Sequence, residues 1–183
     1  MTKLTVTLKT VTPLFLGGAD PNATAELRAP SIKGALRFWY RAIDPAYREH
    51  EAPIFGSTDK GQASFFLRVE AKKPETQPPG EHWQQAELGY LGFGAILYDK
   101  KAGCQVTQRP YVKPGLEFTV TCLFHPRVSP EDKDRVLRAF KAFSLFGGLG
   151  SRSRRGFGSL QVIRLGEWDG PPVDVAELKR RCQ

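Results

Sequence analysis

Leu4, Val6 and Leu8 alternate with Lys3, Thr5, Thr7 and Lys9. That is the period of two of a half-buried strand, and it predicts β structure from about Lys3 to Thr12. Pro13 and the pair Gly17-Gly18 end it, and 19–29 reads as a loop. The period then changes. Ile32, Leu36, Trp39, Tyr40 and Ile43 make one apolar stripe at helical spacing, which predicts a helix from Ile32, capped by Ser31, to Ile43 before Asp44-Pro45. Residues 47–60 read as irregular. Phe65, Leu67 and Val69 restore the strand period over Ala63–Ala71, and the Pro-rich polar run 72–80 reads as a surface loop. Leu88–Leu97, glycine-rich and aromatic, fits a short helix or a tight loop equally. Leu116–His125 is a further strand. Ser129-Pro130-Glu131-Asp132 opens a helix that carries Val136, Leu137, Phe140, Phe143 and Leu145 to Phe146. Gly147-Gly148 then stops it in the manner of a C-cap. Ser159–Leu165 is the last strand, and the tail after Pro171-Pro172 ends in a short basic helix.

The resulting order is β-α-β-β-α-β, with an insertion between the middle strands and a glycine-rich loop before the last one. That is an α+β pattern of the ferredoxin-like (RRM-like) kind. The expectation is a single domain over residues 1–183, with its core in about 3–165 and a tail in 166–183. A chain of 183 residues, 40% hydrophobic and 25% charged, can bury a core without staples. No stretch approaches the ~18 apolar residues of a membrane span. The alternating N-terminus reads as a strand, not as a signal peptide. Cys104, Cys122 and Cys182 form no C-x-x-C pair, which argues against a thiolate zinc site and a disulfide framework. The expected compartment is the cytoplasm.

Charge sharpens this picture. Lys and Arg number 27 against 19 Asp and Glu, a net charge of +8 that biases partners towards polyanions. The positive residues cluster in two places. Lys33, Arg37 and Arg41 stack at i, i+4 and i+8 on the first helix, and no acid occurs from Leu27 to Ile43. Like charges at that spacing cost helix stability, so an unrelieved column points to a missing polyanion. On that view, removing it leaves stability unchanged or slightly higher. The competing reading is a solvated face whose acids come from elsewhere in space. The second cluster is 147–158, with five glycines, three arginines and no acid. Glycine lets successive N–H groups approach one anion, and Arg adds bidentate phosphate contacts. The competing reading here is a helix cap and a turn with incidental charge.

A nucleotide cofactor is not expected. Phosphate-binding glycine loops lie between a strand and the helix that follows, whereas this loop lies between a helix and a strand and lacks Gly-Lys-Ser/Thr. Arg155-Gly156-Phe157-Gly158 matches the first four positions of the RNP1 signature, but Ser159 interrupts the match.

Four segments together carry a family resemblance. They are Thr12-Pro13-Leu14-Phe15-Leu16-Gly17-Gly18, Glu26-Leu27-Arg28-Ala29-Pro30-Ser31-Ile32-Lys33-Gly34-Ala35-Leu36-Arg37-Phe38-Trp39, Ile54-Phe55-Gly56-Ser57, and the run from Gly148 to Ser159. They resemble the RAMP superfamily of CRISPR effector proteins, and within it the first-subunit family of the type III-B Cmr complex. The resemblance implies a ferredoxin-like fold, binding of guide RNA and of complementary target RNA, and side-by-side assembly with other RAMP subunits in antiviral defence. In that family the Pro-Ser-x-Lys-Gly helix start and the glycine loop face RNA. This nominates Ser31, Lys33, Arg37, Arg152, Arg154 and Arg155, and beside them Arg28, Arg41, Gly148, Gly150, Ser151 and Gly156. Members of the family are usually longer, with a second half of the same kind.

An alternative within the superfamily is an endoribonuclease that processes guide RNA. Metal-independent cleavage needs a positioned acid and base, but His50, His82 and His125 all lie outside the basic motifs. Metal-dependent cleavage needs clustered carboxylates, and Asp20 beside Gly17-Gly18 has no companion in the motifs. The sequence therefore favours a non-catalytic RNA-binding subunit with no metal and no cofactor. A third reading is an adaptor whose basic surfaces meet acidic proteins.

Overall fold

The computed structural model describes residues 3–18, 20 and 24–165. Along the chain come β1 (Lys3–Thr10), α1 (Ala29–Ile43), α2 (Tyr47–Phe55), β2 (Phe65–Ala71), β3 (Thr76–Gln77) and β4 (His82–Trp83). There follow α3 (Ala86–Leu91), β5 (Ile96–Asp99), β6 (Cys104–Thr107), β7 (Tyr111–Val112), β8 (Glu117–Phe124), α4 (Pro130–Phe146) and β9 (Leu160–Leu165).

The long strands form one antiparallel sheet in the order β2-β8-β1-β9. Register puts Leu4 opposite Cys122, Val6 opposite Val120 and Leu8 opposite Phe118, so all six side chains share one face. All six are at most 1% exposed, and α1 and α4 cover them with Ile32, Leu36, Tyr40, Val136, Leu137, Phe140 and Phe143. Each such burial contributes ~1.5–3 kcal/mol, which fixes the two helices on that face. The architecture is thus mixed α+β with antiparallel sheets. Among the described residues, no helix is long and apolar enough to cross a membrane. Cys104 and Cys122 are buried free thiols, and burial pushes the Cys122 thiol well above its ordinary range. The tail helix and Cys182 lie outside the described residues.

Helix α1 begins earlier than its apolar stripe suggests. Arg28 is the N-cap residue, its carbonyl accepts from the N–H groups of Ser31 and Ile32, and Pro30 sits in the first turn where its missing N–H costs nothing. Ser31 is therefore inside the helix and is not its cap. Residues 47–55, read as irregular, form α2 despite the internal Pro53. The packing of Ile54 and Phe55 outweighs a proline near the end of a short helix. Helix α4 agrees with its sequence signals at the start, where the Ser129 side chain accepts from Asp132 N–H at 3.1 Å. At its end Leu145 and Phe146 turn to solvent instead of joining the core. Gly147 has φ −96, so the left-handed cap is absent. The glycine is needed there because a Cβ would lie 2.5 Å from both Phe143 O and Trp39 Nε1.

The insertion carries two small sheets, β3-β7 and β4-β6-β5, and the run 72–80 read as loop contributes β3. It has its own core of Ala95, Ile96 and Tyr111, with Trp83 and Leu88 at the edge. Phe15 and Phe157 belong to the same cluster although they lie outside the insertion. The ring of Phe15 stands 5.4 Å from Tyr111 and 5.5 Å from Phe157, centroid to centroid. Both Tyr111 Oη and Trp83 Nε1 donate to Glu81 Oε2 beneath them. The insertion is thereby anchored beside the loop that precedes β9.

Candidate nucleic-acid interface

Between α4 and β9 the chain doubles back on itself. Gly148 bridges Ser159, and Leu149 N–H donates to Gly158 O at 2.9 Å. The β1–α1 segment braces this loop from below. Ser151 N–H donates to Phe15 O at 2.8 Å and Gly158 N–H to Pro13 O at 2.9 Å. Thr12 Oγ1 donates to Gly156 O at 2.7 Å and accepts from Ser159 N–H at 2.9 Å. Several glycines serve this bracing. With φ of 79 and 60, Gly150 and Gly158 are left-handed, and a Cβ would come within 2.3 Å of Phe15 O and 1.9 Å of Leu149 O respectively. A Cβ on Gly148 would lie 2.8 Å from Gly158 O.

Of the N–H groups expected to form a backbone cradle, that of Ser151 is spent on Phe15 O, while the glycines at 148 and 150 are required by close packing against Gly158 O and Phe15 O. Gly156 differs, since φ is 89 but the space around it is open. Phe157, in the RNP1-like run, is 4% exposed and belongs to the aromatic cluster.

The rigid loop displays arginines. Arg152 is itself left-handed, with φ 61, and its Nη2 lies 3.3 Å from where a Gly94 Cβ would stand. The Arg154 guanidinium is 5.9 Å from the centroid of Phe38 on α1. Arg155 reaches the other way, its Nη1 donating to Tyr90 O of α3 at 3.3 Å and its guanidinium 5.9 Å from that ring. An open hollow of about 540 Å³ lies among Gly150, Arg152, Ser153, Arg154 and Arg155. A second, of about 350 Å³, joins it to α1, where Ser31, Phe38 and Trp39 face Gly148, Gly150 and Arg154. Among the described residues, no carboxylate lines either hollow.

The rest of the nominated helix points elsewhere. Glu51 of α2, 7% exposed, receives Arg41 Nε at 2.8 Å, Arg41 Nη2 at 2.6 Å, and Arg37 Nε. The Arg41 hydrogen bond holds the Glu51 carboxyl below its ordinary value of 4.5, against the opposing effect of burial. The column on α1 therefore has its acid, and the argument from unrelieved repulsion does not hold. Lys33 packs its ammonium 5.8 Å from the Phe65 centroid, where burial and then the charge of Arg37 lower its pKa. Arg28 contributes a backbone carbonyl to the start of α1. The structure thus unites Ser31 with the arginine loop and leaves Lys33, Arg37 and Arg41 against β2 and α2.

Two aromatic residues beside the loop escaped the sequence argument. Phe38 is 49% and Tyr90 79% exposed. The signal was available in Leu36-Arg37-Phe38-Trp39 and Gly89-Tyr90-Leu91, but nothing local distinguishes an outward ring from a buried one. Trp39, assigned to the core, is half-buried and lines the smaller hollow. Among the described residues, no three His, Cys, Asp or Glu lie together in a group that could hold a metal ion.

Residues 7–161 match the family model of the RAMP superfamily. The chain belongs to the RAMP superfamily. Two relatives from Pyrococcus furiosus are named as CRISPR system Cmr subunits. Cmr1-1 is 31% identical over 149 aligned positions, covering 76% of this chain and 41% of that one. Cmr1-2 is 33% identical over 184 residues, covering 87% of this chain and 95% of that one. The crystal structure of apo Cmr1 from Pyrococcus furiosus superposes with a TM-score of 0.59 at 28% identity, covering 91% of this chain and 51% of that one. This RAMP chain therefore spans about half or less of Cmr1-1 and of the crystallised Cmr1, and nearly all of Cmr1-2. A type III-B Cmr-beta complex bound to cognate target RNA contains a chain of the same fold, with a TM-score of 0.60 at 16% identity, covering 91% of this chain and 55% of that one.

Proposed function

We propose that this RAMP chain is a non-catalytic, RNA-binding subunit of a type III-B CRISPR (Cmr) ribonucleoprotein effector in the cytoplasm. It holds guide RNA and complementary target RNA beside other RAMP subunits. The sheet order β2-β8-β1-β9, with α1 and α4 crossing the same face, supports the finer ferredoxin-like reading of its fold. The observation that carries the function is the loop before β9. Arg152, Arg154 and Arg155 project from a backbone braced by hydrogen bonds, around hollows with no carboxylate among the described residues and next to exposed rings. Guanidinium groups recognise phosphates in pairs of hydrogen bonds, and exposed rings accept bases. The relatives named as Cmr subunits give that chemistry its setting.

The test is fluorescence anisotropy of an end-labelled single-stranded RNA at increasing salt. Each phosphate contact adds roughly 0.7 to the slope of log K against log salt, so three arginines give a slope near −2. A flat dependence overturns the RNA reading and favours the adaptor. The same RNA should stay intact with or without Mg²⁺. Neither arginine hollow is lined by His50, His82 or His125. Cleavage abolished by His50→Ala or His125→Ala would establish the endoribonuclease instead.

A further inference from the structure

A third depression lies between α3 and the loop before β9, walled on one side by Thr12, Pro13 and Phe157 of the family motifs and on the other by Trp83, Gln85, Leu88 and Leu91 of the insertion, which no motif covers. It is a groove of about 370 Å³, the lower end of the size range for small-molecule sites. Its walls are apolar, formed by Pro13, Leu88, Leu91, Phe157 and Trp83. The last two rings lie nearly parallel, at 17° with centroids 6.3 Å apart. Leu91 is 37% exposed there, an apolar surface with nothing over it among the described residues.

Three polar side chains border the groove. Thr12 is spent on Gly156 and Ser159. The Gln85 side-chain amide makes no hydrogen bond to another described residue, so a donor and an acceptor remain for an occupant. Arg155 stands at the rim, tied by one long bond to Tyr90 O, with its other N–H groups free to turn outward.

We infer that this groove receives one nucleobase of a bound single-stranded RNA, with Arg155 holding the adjoining phosphate. The inference rests on the RNA-binding reading of the loop. A flat apolar slot, an exposed amide and a guanidinium at its edge match the three parts of a nucleotide: a base face, a base edge and a phosphate. Tyr90, 79% exposed and 5.9 Å from the Arg155 guanidinium, extends the surface for a neighbouring base. An apolar protein side chain would fill the slot but would make no use of the amide or of the Arg155 guanidinium at its edge.

Two measurements on the full chain test the inference. Anisotropy of an end-labelled RNA reports overall binding, while an abasic nucleotide, moved along the strand, reports whether one base matters. At one position the abasic substitution should weaken binding about tenfold. The variant Gln85→Ala with Leu91→Ala should lose the same factor on intact RNA and nothing further on the abasic strand. In the wild type, 2-aminopurine at that position should change its emission on binding, a readout that does not depend on the variant's fold. Tight binding with no sensitive position and no loss in the variant overturns the base slot while the RNA reading stands. No anisotropy change at all overturns both. A variant that keeps its RNA affinity but no longer assembles with other subunits would make the groove a protein contact and overturn the inference.

Discussion

Arg41 closes on Glu51 from two directions, with Nε on one carboxylate oxygen at 2.8 Å and Nη2 on the other at 2.6 Å. A carboxylate from α2 thus lies under the basic face of α1, and the stability argument changes sign. Arg37→Ala with Arg41→Ala leaves Glu51 buried and unpaired, at a cost of about 3 kcal/mol. Glu51→Gln costs less, about 1 kcal/mol, because the half-exposed arginines regain water. Urea unfolding of the two variants measures the difference. A double variant as stable as the parent would refute the pairing.

The same pair sets an acid-sensitive component of stability. The folded carboxyl of Glu51 is held below its ordinary value of 4.5, which approximates the unfolded chain. Its contribution is therefore complete above 4.5 and is lost as pH falls through the lower, folded value. Glu51→Gln should unfold more easily than the parent near neutral pH, and the gap should narrow as pH falls below 4.5. A gap that widens on acidification would reverse the assignment.

Glycines 156 and 158 should respond differently to a methyl group. Gly158→Ala drives a Cβ to within 1.9 Å of Leu149 O, so the loop must open, and a loss of more than ~2 kcal/mol follows, with weaker RNA binding. Gly156→Ala meets open space and carries only the left-handed penalty, about 1 kcal/mol. Thermal unfolding of the two proteins separates these outcomes. Equal losses would mean that backbone conformation matters and close packing does not.

The arginine loop should matter more to RNA than charge elsewhere. Replacing Arg152, Arg154 and Arg155 by Ala should lower the magnitude of the salt slope by roughly 2, at about 0.7 per contact. Lys100→Ala with Lys101→Ala, in the exposed turn after β5, should change it little. Arg37→Ala should also have a small effect, since its guanidinium is turned to Glu51, away from the arginine loop. Equal losses from loop and turn variants would make net charge the only cause.

β1, β2 and β8 were legible because their alternation repeats for seven or eight residues, as in Leu4-Thr5-Val6 and Phe118-Thr119-Val120. The strands of the insertion were not, because two to four residues hold too few alternations to separate from a loop. Helix α2 was hidden by Pro53, and with it the origin of Glu51, so the charge column on α1 looked unanswered. The loop before β9 was legible as arginine- and glycine-rich. The use of its glycines was not, because a close approach to Phe15 or Leu149 exists only once distant segments meet. The outward direction of Phe38 and Tyr90 likewise depends on packing that no local pattern encodes.

β1 lies in the middle of the sheet and pairs with strands made much later, Lys3 with Leu123 on one side and Thr10 with Leu160 on the other. At about 5–20 residues per second, a ribosome needs roughly ten seconds to deliver the first of these partners. Through that interval Leu4, Val6 and Leu8 have no sheet to enter, while α1 and α2 are already outside the exit tunnel. Protease digestion of stalled nascent chains would show β1 open to cutting until β8 has emerged. The arginine loop, whose floor is Pro13 and Phe15, becomes a structured surface only as β9 leaves the ribosome.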